Sequence, residues 1–181
     1  MNTNYFCFVW KVGGIVNKKT IAKTTIENSK GIAKTAQLIC AGLSKSDIGN
    51  LCNSGYIVRV RHGYYSLAEA NDTKEEQLIQ TLLPEAIVCV ESALFHYGYS
   101  DFAPRIWTLA VPRTMTKTKI NMDTILYKPY YIQNKLYELG RTFADFDGVK
   151  LPVYDRERTI CDCFKYRTKL DNEIFNKAVN A

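Results

Sequence analysis

The chain has 181 residues, 46% of them apolar and 23% charged, with a formal net charge of +6. That is the composition of a soluble globular protein, long enough for one ordinary domain or two small ones. No stretch approaches the length of a membrane span, so no membrane partner is expected. The charge is unevenly spread. Residues 1–67 hold nine Lys/Arg against two acids, Glu27 and Asp47, a surplus of seven, whereas the other 114 residues hold 15 basic and 16 acidic side chains. A small basic module beside a near-neutral one points to a polyanion as its partner; lysines that only keep a solvated face soluble are the plainer alternative. The six cysteines form no C-x-x-C pair and only two histidines are present, so no metal site and no cofactor is expected. Cys40, Cys52 and Cys163 fall among apolar positions at helical spacing and read as reduced, buried thiols of a cytosolic protein.

The opening "MNTNYFCFVWKVGGIV" has a short apolar run with no positive charge before it and no small-residue cleavage site after it, unlike a signal peptide. Residues 1–17 read as a leader or disordered N-terminus, with the natural start near Val16. Three short helices follow. Lys18 to Ser29 places Ile21, Thr25 and Ile26 on one face. "GIAKTAQLICAG" has Ile32 as a buried lead-in and Thr35 near the helix start. Ala36, Leu38 and Ile39 supply its apolar contacts, and Gly42 sits where a left-handed residue is wanted. "LSKSDIGNLCNSG" opens on Ser44 as N-cap with Asp47 three residues on, a capping box. Ile48, Leu51 and Cys52 then repeat at i, i+3 and i+4 as the buried stripe, and Gly55 ends the helix.

A hairpin comes next. In "YIVRVRHGYYSL", His62-Gly63 suits a two-residue primed turn, pairing Arg61 with Tyr64, Val60 with Tyr65, Arg59 with Ser66 and Val58 with Leu67. Alternation then puts Val58, Val60, Tyr65 and Leu67 on a core face, and Arg59, Arg61, Tyr64 and Ser66 on a cationic one. Two helices joined by "AGLS" and followed by such a ribbon predict a winged helix-turn-helix over residues 18–68, with the second helix of the pair in the DNA major groove. Lys45, Ser46, Gly49 and Asn50 would be exposed there, with Asn53 further along. Ser46 and Asn50 can hydrogen-bond base edges, and Lys45 can reach guanine or a phosphate. Gly49 costs about 1 kcal/mol against alanine inside a helix, which a close approach to another backbone or to DNA would explain. Arg59 and Arg61 are expected against phosphate or in the minor groove, with His62 and Tyr64 beside them. Lys34 and Thr35, at the start of the preceding helix, complete the expected DNA-binding set.

After "LAEANDT" the character changes. Glu75 to Leu83 reads as a helix ended by Pro84, "AIVCV" as a buried strand, and "ESALFHYG" as a helix with Ala93, Leu94 and Tyr97 inward. "RIWTLAV", "TILYK", "YELGRTFADF" and "VKLPVY" read as strands, the last two joined by Asp147-Gly148. "DRERTICDCFKYR" is a helix capped by Asp155 with Ile160, Cys163 and Phe164 inward, and another opens at "LDNEIF". Residues 69–181 are thus expected to form an α+β domain with mixed helices and strands. The uncapped end "NKAVNA" reads as that of an incomplete domain.

"KGIAKTAQLICAGLSKSDIGNLCNSGYIVRVRHGYYSLAE", followed by "LPVYDRERTICDCFKYR", resembles the AbiEi family of antitoxins from about Lys18 onward. Its most specific parts are "AGLS", the "SGYIVRVRHGYY" wing, "ESALFHYG" and "YDRERTICD". The resemblance implies a non-enzymatic, cytoplasmic antitoxin whose winged helix represses its own operon by binding inverted repeats in double-stranded promoter DNA. It also implies a nucleotidyltransferase-like toxin as functional partner, countered without a stable complex in a type IV system of abortive phage infection. A stand-alone DNA-binding regulator is the alternative. An enzyme reading rests on Glu91, Asp155, Glu157, Asp162 and Lys165 as a metal-dependent nuclease cluster. Against it, Asp155 already serves as a helix cap, and Asp162 and Lys165 can pair at i, i+3 on a helix surface. No phosphate-binding loop, nucleophile elbow or kinase signature is present. His96 in "LFHYG" reads as a packed histidine.

Overall fold

The computed structural model describes residues 17–69, 74–116, 120 and 124–181. The chain divides into two compact units, the first ending at Thr73 and the second beginning at Lys74. Together they give an α+β protein with eight α-helices and two sheets among the described residues. The proposed leader lies outside the described residues, apart from Asn17.

In the first unit, α1 (Lys18–Asn28) starts at Asn17, whose side chain accepts the Lys19 N–H at 3.1 Å. A turn through Lys30 and Gly31, both at positive φ, leads into β1 (Ala33–Lys34), α2 (Thr35–Cys40) and α3 (Lys45–Asn53). β2 (Ile57–Arg61) and β3 (Tyr64–Leu67) form the ribbon, and β1 adds to it in the order β1-β3-β2. The predicted capping box is present: Asp47 N–H donates to Ser44 Oγ at 3.1 Å, and Ser44 N–H to Asp47 Oδ2 at 3.0 Å. Ala22, Ile26, Leu38, Ile48, Ile57 and Tyr65 meet in one buried cluster. Of the apolar positions expected on α2, only Leu38 is buried; Ala36, Ile39 and Cys40 are exposed. At 3.6 residues per turn a six-residue helix makes fewer than two turns, and in α2 only Leu38 turns inward, so the expected three-residue face does not form.

The hairpin corrects the predicted register. The turn and the Arg61–Tyr64 pair are as expected, but Arg59 faces Tyr65, Val58 faces Ser66 and Ile57 faces Leu67. The register shifts between Arg59 and Arg61, leaving Val60 as the extra residue of a β-bulge. A one-residue slip exchanges the two faces of a strand. Val58, expected in the core, is 43% exposed, and Ile57 takes its place with Val60 and Tyr65. Ser66, expected on the open face, is buried.

The second unit holds a five-stranded sheet in the order β6-β5-β4-β8-β7. Its strands are β4 (Ile87–Val88), β5 (Trp107–Pro112), β6 (Tyr127–Ile132), β7 (Arg141–Phe146) and β8 (Val149–Tyr154). Pairs β4–β5 and β7–β8 are antiparallel; β4–β8 and β5–β6 are parallel. Its helices are α4 (Glu75–Leu82), α5 (Val90–His96), the short α6 (Asn134–Tyr137), α7 (Arg156–Lys165) and α8 (Asn172–Asn180). The β7–β8 turn is Asp147-Gly148, both at positive φ, as its sequence predicts.

Three expectations shift here. "AIVCV" yields only a two-residue strand, because Val90 turns into α5 at φ 43°, a left-handed conformation that a β-branched residue adopts only under constraint. The constraint is a buried lock. Ser92 N–H donates to Thr108 Oγ1 and Thr108 N–H to Ser92 Oγ, both at 2.9 Å, while Thr108 Oγ1–H donates to the Cys89 carbonyl. The strand expected at "TILYK" lies further on, at "YKPYYI", where Pro129 is tolerated because β6 is an edge strand. Within "YELGRTFADF" only Arg141–Phe146 is extended, since α6 and a turn at Gly140 occupy the start.

Candidate nucleic-acid interface

The predicted DNA-binding residues fall into two groups in the first unit. On α3, Lys45, Ser46, Gly49 and Asn50 are all exposed, on the side away from buried Ile48 and Leu51. A Cβ added to Gly49 would meet nothing within 4 Å. No contact inside the chain among the described residues therefore explains this glycine, and it leaves the outer face of α3 flat. The helix start is held by the capping box and by Lys18 Nζ, 2.5 Å from Asp47 Oδ1. That hydrogen bond, with those from Ser44, holds the Asp47 carboxyl down at about 2.

The second group gathers at the ribbon's turn. Thr35 N–H donates to the Gly63 carbonyl at 2.9 Å, and Thr35 Oγ1–H donates to the same oxygen at 3.2 Å. The start of α2 is thereby bolted to the turn. β1 pairs Lys34 with Tyr64, and the Tyr64 ring has Lys34 Nζ 5.7 Å and the Arg61 guanidinium 6.0 Å from its centre. Gln37 reaches back to accept the Lys34 N–H at 2.7 Å. Lys34, Thr35, Arg61 and Tyr64 are thus neighbours, and His62 is exposed at the tip. Arg59 does not join them. Directly opposed residues share a face, so Arg59 lies on the Tyr65 side and Arg61 on the Tyr64 side. The expectation that the two guanidinium groups point the same way is corrected by the bulge. Arg59 is instead close enough to Cys52 of α3 to act on its thiol, which burial raises and Arg59 lowers in part.

Sequence reasoning missed the bulge and the Thr35–Gly63 bolt. Nothing in the alternation "VRVR" marks Val60 as the extra residue. Thr35 next to an N-terminal helix position was the one available signal for the bolt, but its acceptor lies 28 residues away.

Both acids of residues 17–67 are engaged by lysines, Asp47 by Lys18 and Glu27 by Lys23 at 3.9 Å. Lys19, Lys30, Lys34, Lys45 and Arg59 are exposed as well, so the surplus charge is displayed outward.

The acidic residues of the enzyme reading do separate work. Asp155 caps α7 by accepting the Arg158 N–H at 2.8 Å. Asp162 is not a surface partner of Lys165: it is 2% exposed and accepts from Arg158 Nε–H at 3.1 Å. Glu91 lies 3.9 Å from Lys128, and burial raises its carboxyl pKa. Among the described residues no three His, Cys, Asp or Glu side chains are grouped as a metal ion would need. Nor does any helix among them have the length and apolarity to cross a membrane. His96 packs as expected, its ring stacked on Phe146 at 4.3 Å.

Three helices, a bulged ribbon and an outward cationic surface define a winged helix-turn-helix module joined to an α+β unit. Residues 22–68 match the family model described as transcriptional regulator, AbiEi antitoxin, the same family that the motifs resemble. The matched stretch is about a quarter of the chain and lies within the first unit. No curated protein matches the chain.

Proposed function

We propose that this protein is the antitoxin and autorepressor of a type IV toxin–antitoxin operon of abortive infection, binding inverted repeats in its own promoter. The observation that carries the reading is the outer face of α3. Lys45, Ser46 and Asn50 stand exposed beside a glycine with open space above it, in the unit that matches a regulatory family. Ser46 and Asn50 read base edges, Lys45 takes guanine or phosphate, and the Lys34, Arg61, His62 and Tyr64 cluster rests on the backbone. The second unit counters a nucleotidyltransferase-like toxin without forming a stable complex, and the protein itself is not an enzyme.

Fluorescence anisotropy with a duplex of the native promoter and a random duplex tests the reading. Ser46→Ala with Asn50→Ala should weaken promoter binding by about 1–3 kcal/mol per lost base contact and leave random-duplex binding almost unchanged. Equal losses on both duplexes would show that α3 does not read bases. Co-expression with the adjacent gene tests the antitoxin half. Growth rescue supports it, and promoter binding without rescue makes the protein a stand-alone regulator.

A further inference from the structure

The second unit contains a cavity of about 420 Å³ that DNA binding leaves without a role. One wall is aromatic. The His96 ring lies on Phe146 with an interplanar angle of 30°, Trp107 meets Phe146 edge-on at 5.9 Å, and Phe95, 43% exposed, also lines the space. The rim is acidic, formed by Glu75, Glu76, Asp145 and Asp147, with no lysine or arginine among the described lining residues. These carboxylates are positioned rather than loose. Trp107 Nε1–H donates to Glu75 Oε2 at 2.7 Å, and Asp145 Oδ1 accepts the Gly148 N–H at 2.9 Å across the β7–β8 turn. Lys74, outside the lining, takes Asp147 at 2.5 Å. Glu76 and Asp145 have no basic side chain within ion-pair distance among the described residues.

Negative ring faces beside four carboxylates, which the charge of nearby Lys74 offsets only in part, attract an organic cation and repel phosphate. The choice between ammonium and guanidinium follows from shape and hydration. A guanidinium is planar, stacks on rings, forks onto carboxylates and sheds water more readily than an ammonium. Burial pushes the His96 pKa down, against the opposing pull of the Asp145 carboxylate, which disfavours a competing charge on the stacked ring. The volume exceeds a guanidinium alone and leaves room for the apolar stem of an arginine along Phe95 and Pro104.

We propose that this cavity docks an arginine side chain of a partner protein, with the guanidinium stacked on the His96–Phe146 pair and bonded to Glu76 and Asp145. The proposal stands on the second unit alone and survives or fails independently of the DNA-binding reading.

The test is an NMR titration of the full chain with N-acetyl-arginine amide, followed at the Trp107 indole N–H, which Trp107→Phe assigns against Trp10. A saturable shift is expected. The citrulline analogue, equal in shape but uncharged, should bind about fivefold or more weakly, the order of a cation–π contact and a charge pair together. Glu76→Gln with Asp145→Asn should weaken the arginine amide by a similar factor at an unchanged circular dichroism spectrum. Equal shifts from citrulline, no saturation, or a double variant that binds as well as the wild type would each overturn the proposal. So would tighter binding of free arginine than of the blocked amide, which would make the cavity a metabolite site.

Discussion

In residues 17–69 both carboxylates that face the solvent side of α1 and α3 meet lysines there, and the interior is built from aliphatic side chains and Tyr65. In residues 74–181 a carboxylate and a guanidinium are packed inside: Asp162 and Arg158 side chains are 3% and 9% exposed. Arg158 also donates to the Leu136 and Leu139 carbonyls, and the buried hydroxyl of Tyr154 donates to the Tyr137 carbonyl at 2.9 Å. The difference separates two uses of charge. The first unit keeps its cations outward, where a polyanion can reach them. The second uses charge to tie α6, α7 and the strand before them into one arrangement, at the cost of desolvating both ions.

The largest expected effect tests that contrast directly. Asp162→Ala leaves the Arg158 guanidinium buried without its partner and should destabilise the protein by about 3–5 kcal/mol in urea unfolding. Lys18→Ala, which removes a pair at the surface of the first unit, should hardly move the midpoint. Comparable losses from the two would mean that burial does not distinguish the pairs.

Next comes the helix start on which the proposed base readout depends. Ser44→Ala removes the acceptor for the Asp47 N–H and should cost about 1 kcal/mol in thermal or urea unfolding, with Ser44→Asn close to wild type. An unchanged stability in Ser44→Ala would show that Lys18 and Asp47 hold α3 without the cap.

A smaller effect sharpens the reading of the wing. Arg61→Ala should flatten the slope of log affinity against log salt by about 0.9 if it removes one phosphate contact. Arg59→Ala, on the other side of the ribbon, should flatten it less. Equal flattening would show that the bulge leaves both arginines within reach of the DNA backbone.

The smallest effect is in acid, and it has opposite signs in the two units. Asp47 is depressed from 3.8 to about 2, so its contribution is fully present above 3.8 and is lost as pH falls toward 2. Asp162 is raised above 3.8, chiefly by burial, so its contribution is largest below 3.8 and declines as pH rises through the raised value. Urea midpoints across this range should fall less steeply in acid for Asp47→Asn than for the wild type. Asp162→Asn should remove the opposing slope. The same sign for both variants would contradict the assigned environments.

The two units also differ in how far they could be read in advance. α1, α2 and α3 fall where periodicity and caps place them, and the Ser44–Asp47 box and both hairpin turns follow from residues within four positions of one another. The exposure of Lys45, Ser46, Gly49 and Asn50 on α3 and of His62 at the ribbon tip was legible for the same reason. What stayed illegible depends on distant partners. Asp162 reads as a surface residue at i, i+3 from Lys165, yet it is buried against Arg158, whose guanidinium is itself held by the Leu136 and Leu139 carbonyls. Likewise, the acidic rim of the second unit's cavity joins residues from α4 and from the β7–β8 turn, some 70 positions apart.

Sequence by itself determined the winged helix-turn-helix, its outward positive charge and the Asp147-Gly148 turn, because capping, helical periodicity and turn stereochemistry act between near neighbours along the chain. Tertiary structure decided the bulge at Val60 that parts Arg59 from Arg61, the left-handed Val90 held by the Ser92–Thr108 lock, and the burial of Asp162. Each is settled by which residues of another element a side chain must pack against, and that information is not local to any stretch of the chain.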